Sequence, residues 1–247
     1  YACVSTSVLE VCRVTKYMLV FQHQYWRCVV LQNICLSLLN LLNEIKEEGN
    51  FPIRIHMYIS DGEDALKFID NGPFIDPDHM LTARGVKLYA DGAIGSRGAA
   101  FFKKYDDYET KGFLIFQKEE TMPKLIKALV NGIQIQTHAI GDLANKITLD
   151  WYEEAFNKVS TENRIIENPR WRVEHAQNIK PEDQKRYSDL KVIASMQPSH
   201  AIGDLHFAHK RLGEERLKDA LAQYPKVVHP VVLEHPEIQK KSLFVKS

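Results

Sequence analysis

The chain has 247 residues, 45% of them hydrophobic and 26% charged, an ordinary balance for a globular protein long enough to bury a sizeable core. Lysine plus arginine equals aspartate plus glutamate at 32 each, so no net charge draws it to nucleic acid or to an anionic membrane surface. The apolar stretch from Tyr17 to Leu42 is broken by Gln22, His23, Gln24, Arg27, Gln32 and Asn33, which argues against a lipid-spanning helix.

Residues 1–33 show no clear period and no Gly or Pro punctuation, and they are read as an unassigned N-terminal segment. Cys3, Cys12, Cys28 and Cys35 match no zinc or Cys-x-x-Cys spacing. Reduced thiols of a cytoplasmic protein and a disulfide framework both stay open. Nothing at the start resembles a secretory leader, so a cytoplasmic location is expected over a secreted one.

From Ile34 the pattern turns regular. Leu36, Leu39, Leu42 and Ile45 predict an amphipathic helix ending at Glu48-Gly49. Ile53–Ile59 reads as a strand, and Ser60 or Asp61 as the cap of a helix to Phe68 or Ile69. Val86–Ala90 is the next strand. It leads into a long excursion from Gly92 to about Phe116, a length typical of lids and binding loops. Glu119–Asn131 predicts a helix, Ile133–Thr137 a strand, and Leu143–Lys158 a helix capped by Asp142. In that helix Ala144, Ile147, Trp151 and Ala155 share a face. Arg172–His175 is a strand, Pro181 opens a helix, and Val192–Met196 is a strand running into Gln197-Pro198-Ser199-His200. Past Leu217 the pattern degrades, and residues 221–247 read as an irregular tail.

Five consecutive βα units over residues 34–220 predict an α/β protein with parallel strands, and a partial TIM (β/α) barrel in particular. Ligands gather at the C-terminal strand ends in such folds. Three ionisable side chains sit on or just past successive strands: Lys87, His138 and His175. Two imidazoles on adjacent strand ends can share one metal ion. A free ammonium repels a cation, but a lysine carboxylated by carbon dioxide is an anionic carbamate that bridges two ions. That reaction needs a neutral amine, which burial favours. The competing reading of Lys87 is a buried lysine paired with Asp91.

His200, His206 and His209 form a further histidine cluster, read as a separate zinc site or, more simply, as a solvated helix. Gly92, Gly95 and Gly98 lack the pattern of a dinucleotide loop. His56 is read as structural.

The segments Gly85–Ala100, Thr137-His-Ala-Ile-Gly-Asp142, Arg172-Val-Glu-His-Ala-Gln177, Ser195-Met-Gln-Pro-Ser-His200 and Arg211–Leu217 resemble, in order and spacing, successive signatures of the amidohydrolase superfamily. The resemblance is to its amidohydrolase 3 group, that of the N-substituted formamide deformylases, and covers about residues 35–220. It implies strands three to seven of a TIM barrel and a metal-dependent hydrolase of amide carbon–nitrogen bonds. It assigns Lys87, His138 and His175 as ligands of a divalent metal, zinc above others. It puts Gln197 and His200 in the substrate pocket, with Asp91 and Arg97 in positioning roles nearby.

The resemblance also implies a His-x-His pair on a first strand and an aspartate base on a last one. His23-Gln24-Tyr25 and the Glu234-His235 tail match neither, so no catalytic base is assigned. The expected partner is a small amide-like molecule, without nucleic acid or membrane. A second subunit completing the barrel is one further expectation. A non-catalytic fragment or binding protein is the alternative.

Overall fold

The computed structural model describes residues 28–49, 51, 53–197, 200–222, 232–234 and 241–243. Its elements, in order, begin with β1 (Cys28–Ile34), α1 (Leu36–Glu47), β2 (Arg54–Ser60), α2 (Glu63–Asn71), β3 (Phe74–Ile75) and β4 (Leu81–Tyr89). There follow α3 (Lys118–Val130), β5 (Gln134–Ala139), α4 (Asp142–Lys158), β6 (Arg172–His175), α5 (Pro181–Asp189), β7 (Ile193–Ser195), α6 (His200–Gly203) and α7 (Leu205–Ala222). Two short strands, β8 (Val232–Glu234) and β9 (Lys241–Leu243), pair antiparallel within the segment read as an irregular tail.

The strands β1-β2-β4-β5-β6-β7 form one sheet in that order, each neighbouring pair parallel, with β3 added antiparallel beside β4. Helices cross between them, as parallel pairing requires. The path has two ends, β1 and β7, so among the described residues the sheet is an unclosed portion of a (β/α) barrel. The core lies between sheet and helices: Met57, Ile59, Val86, Ile135 and Val173 from the strands meet Phe68, Ile69, Leu125, Leu129 and Leu149 from the helices. Trp171 fills its far end and donates from its indole nitrogen to the carbonyl of Ile133 at 3.1 Å. A buried indole thus keeps its hydrogen bond. No helix among the described residues is long and apolar enough to cross a membrane.

The structure departs from the sequence reading where distant groups compete for a local one. Cys28–Ile34, inside the segment without an assigned element, is the edge strand beside β2. Cys35 is disulfide-bonded, which removes the reading of the cysteines as uniformly reduced. The helix after β2 starts at Glu63 with Gly62 as N-cap at φ 132°, and Asp61 accepts instead from the N–H of Gly62 and pairs with Lys124. Asp142 is the first residue of α4 rather than its cap, and its carboxylate accepts the N–H of Phe102. On α4 the buried face is Ala144, Asn145, Thr148, Leu149, Tyr152 and Ala155, one step round from the predicted stripe. Polar Thr148 and Tyr152 are tolerated there because each is bonded, Thr148 to the carbonyl of Ala144 and Tyr152 to Thr137 and the carbonyl of Arg172.

Candidate metal and active site

Along a strand, side chains alternate between faces, so cross-strand partners share a face. On the concave side of the sheet, one row runs Lys87–Gln136–Arg172 across β4, β5 and β6, and the next runs Tyr89–His138–Glu174. The partner of His175 is Ala139, which belongs to the helix-facing core. Regular strand geometry would therefore turn His175 away from His138. Instead, His175 and Ala176 take φ values of 71° and 43°, a left-handed turn that few non-glycine residues adopt. The ring centroids of His138 and His175 lie 4.5 Å apart, and the ring of His200 lies 5.2 Å from that of His175.

Burial sets the charges of this cluster. Lys87 is 3% exposed, and desolvation pushes its ammonium down to about 8, with Glu174 opposing and Arg172 assisting. Its nitrogen stands 5.6 Å from the centre of the Tyr89 ring. Desolvation lowers His138 to about 4 and His175 to about 3, so both imidazoles are neutral at pH 7. Neutral rings are the form that binds metal. Nδ1 of His175 is buried without a hydrogen bond among the described residues, although Gln197 approaches the ring closely enough to act against its loss of basicity.

Asp91, past the end of β4, accepts the N–H groups of Ala100, Ile140 and Gly141 at 2.8–3.0 Å and lies 3.5 Å from Nε2 of His138. Burial raises its carboxyl to about 7 against the pull of those three donors. Its oxygens are thereby committed to the loops and to His138, and no Lys87–Asp91 ion pair forms among the described residues. His200 opens α6, its Nδ1 3.0 Å from Oε1 of Gln177, whose amide nitrogen donates to Asp204. Gln197 precedes it and is half-buried.

Arg97 is turned toward the long loop. It makes a two-point contact with Asp107 at 3.1 Å, lies over the Tyr108 ring, and shares Asp107 with Arg211. His206 and His209 are exposed on α7. His56 packs edge-on to Tyr58.

Among the described residues, no three His, Cys, Asp or Glu side chains are grouped so that they could hold a metal ion. The fit to a metal is thus that of two neutral imidazoles, one with a free buried nitrogen, beside a lysine that becomes a ligand only as its carbamate. Tyr89, Gln136, Arg172 and Glu174 also line this face and escaped the sequence reading. Their signal was the alternation Gln134, Gln136, His138 within an otherwise apolar strand, three polar side chains on one face.

Residues 35–227 match the family model described as amidohydrolase family, in its amidohydrolase 3 form. The chain belongs to this family. Among curated relatives, it is 36% identical over 133 residues to Protein LONG AFTER FAR-RED 3 of Arabidopsis thaliana, a match covering 53% of this chain and 22% of that protein. It is 31% identical over 179 residues to the putative amidohydrolase YtcJ of Bacillus subtilis, covering 70% of this chain and 31% of that one. The chain therefore spans less than a third of the length of these relatives. Uncharacterized metal-dependent hydrolases from Pyrococcus horikoshii and Pyrococcus furiosus superpose with a TM-score of 0.64 at 30% identity, covering 77% of this chain and 37% and 38% of theirs.

Proposed function

We propose that this chain carries the central part of the active site of a metal-dependent hydrolase acting on carbon–nitrogen bonds of small, non-peptide amides. In this reading His138, His175 and carboxylated Lys87 hold a divalent ion, zinc first among the candidates. The observation that carries it is the left-handed turn at His175 and Ala176, which sets the imidazole 4.5 Å from that of His138 at the end of the neighbouring strand. Strained backbone of this kind persists where the surrounding structure enforces it, and it gathers at functional sites.

A bound ion supplies Lewis acidity and a more acidic water. The chain's own residues do the rest. Burial keeps both imidazoles unprotonated, and Asp91 fixes the loops on which the Nε2 side of His138 rests. Gln197 and His200 border the His175 side and are assigned to substrate binding, His200 with its tautomer set by Gln177. Arg97 braces the long loop through Asp107. N-substituted amides, formamides among them, are the substrate class. A second copy of the chain completing the open sheet is testable by light scattering.

The test is metal content by mass spectrometry together with turnover of a panel of N-substituted amides. Bound divalent metal and hydrolysis that both fall in Lys87→Ala support the reading. A protein without bound metal, and no more active than Lys87→Ala, overturns it.

A second reading, a non-catalytic binding protein, is favoured by the fact that, among the described residues, His200 and Asp91 stand near the histidine pair without forming a group of three that could hold a metal ion. It predicts saturable calorimetric binding of the same amides with no product formed.

A further inference from the structure

Gln136 is fully buried, yet neither its amide nitrogen nor its amide oxygen has a hydrogen-bond partner among the described residues. A buried amide left in this state costs free energy, and native proteins rarely keep one without a reason. Its place in the sheet supplies the reason. Gln136 stands between Lys87 on β4 and Arg172 on β6, its cross-strand partners in one row. Both neighbours are cations. Either could serve the acceptor end of the amide, but neither, as a cation, can accept from its donor end. Glu174, one row on, spends Oε2 on the Ser195 hydroxyl at 3.0 Å, and its Oε1 lies 3.1 Å from Nε of Arg172 in an ion pair without hydrogen-bond geometry.

We propose that Gln136 is a positioning residue for carboxylated Lys87, its amide N–H donating to a carbamate oxygen. The inference rests on the proposed carboxylation of Lys87. In that step the lone pair of the neutral amine attacks carbon dioxide, a C–N bond forms, and the amine proton leaves to solvent base. Lys87 thereby changes from a donor into an anionic acceptor beside the unused N–H. One covalent change thus satisfies the donor end of the buried amide and holds the new anion in place between its strand neighbours.

The experiment loads the full chain with ¹³C-bicarbonate and reads the carbamate carbon by ¹³C NMR, alongside thermal unfolding. Gln136→Met keeps length and apolar bulk but removes the amide. Carbamate occupancy should fall roughly tenfold or more, the worth of one hydrogen bond to a charged group. The melting temperature should hold or rise, because an unsatisfied amide has been removed. Gln136→Glu should lose the signal as well, since a second anion opposes the carbamate. A structural role alone would lower the melting temperature and leave the signal.

A parent chain with a carbamate signal that both variants retain overturns the role of Gln136 and leaves the carboxylated lysine standing. A parent chain without the signal overturns both.

Discussion

His138 and His175 stand with ring centroids 4.5 Å apart although the register of their strands assigns them to opposite faces of the sheet. The backbone, not the side-chain pattern, brings them together, through positive φ at His175 and Ala176. That makes Ala176, which bears no ionisable group, a control point for the site.

Replacing Ala176 separates strain from function. Ala176→Gly should change unfolding free energy by no more than about 1 kcal/mol, since relief of the left-handed strain offsets the greater freedom of the unfolded chain. Ala176→Val should lose ~2 kcal/mol or more, because a β-branched residue resists this conformation and the position is fully buried. Urea titrations of the two variants check both values. Equal losses would show that packing, rather than φ, governs the turn.

Gly141 is fixed by contact rather than by φ, which is an ordinary −73°. A β-carbon there would meet the carbonyl oxygen of Ala100 at 1.9 Å. Its N–H also serves Asp91. Gly141→Ala should therefore cost about 3 kcal/mol and loosen the Asp91 cradle. Hydrogen exchange at Ala100 and Ile140 should accelerate with it, and unchanged exchange would refute the coupling.

Acid should weaken the fold steeply. The histidine pKa values fall from 6.5 to about 4 for His138 and about 3 for His175, so below pH 6.5 the unfolded chain takes up protons that the folded chain refuses. Their contribution is full above pH 6.5 and is lost as pH falls toward 3. The raised carboxyl of Asp91 acts oppositely, giving stability below pH 3.8 that fades toward pH 7, but two imidazoles outweigh one carboxyl. Denaturant midpoints measured from pH 4 to 7 should rise with pH, and His138→Gln should flatten the curve. A flat profile in the parent chain would contradict the burial of the pair.

Asp107 holds two arginines, Arg97 from its own loop and Arg211 from α7. Asp107→Asn should leave the core intact and raise protease cleavage within residues 103–111 several-fold, more so at low salt, where the parent's ion pairs are strongest. Cleavage equal to the parent's would mean that backbone bonds alone hold the loop.

The sequence carried the βα alternation because short runs with apolar residues at every second position, as in β2 and β5, are followed by helix-period segments, and Lys87, His138 and His175 fall at or near strand ends. It did not carry β1. That strand is an edge, with Val30 exposed, and lacks the alternation that a half-buried strand shows. The capping signals misled at Asp61 and Asp142 because their carboxylates serve partners elsewhere in the fold, Lys124 and the Phe102 N–H. The core face of α4 was displaced because Thr148 and Tyr152 look polar until their hydrogen bonds are known. The turn at His175 was out of reach for a similar reason. No local residue type announces a left-handed histidine followed by a left-handed alanine.

The long excursion after β4 closes at its own base. Gly92 donates to Gly98, Ala100 to Asp91, and Ile115 to the carbonyl of Ala90. Residues 101–113 therefore leave and rejoin the barrel at nearly one place. Phe101 and Tyr105 anchor the segment in a small core with Ile94, Ile140 and Leu212, so only the exposed tip around Tyr108 and Glu109 can change without passing strain to the strand that bears Lys87. For evolution or for a protein engineer, that tip is where the loop can be rewritten while the strand ends beneath it keep their shape.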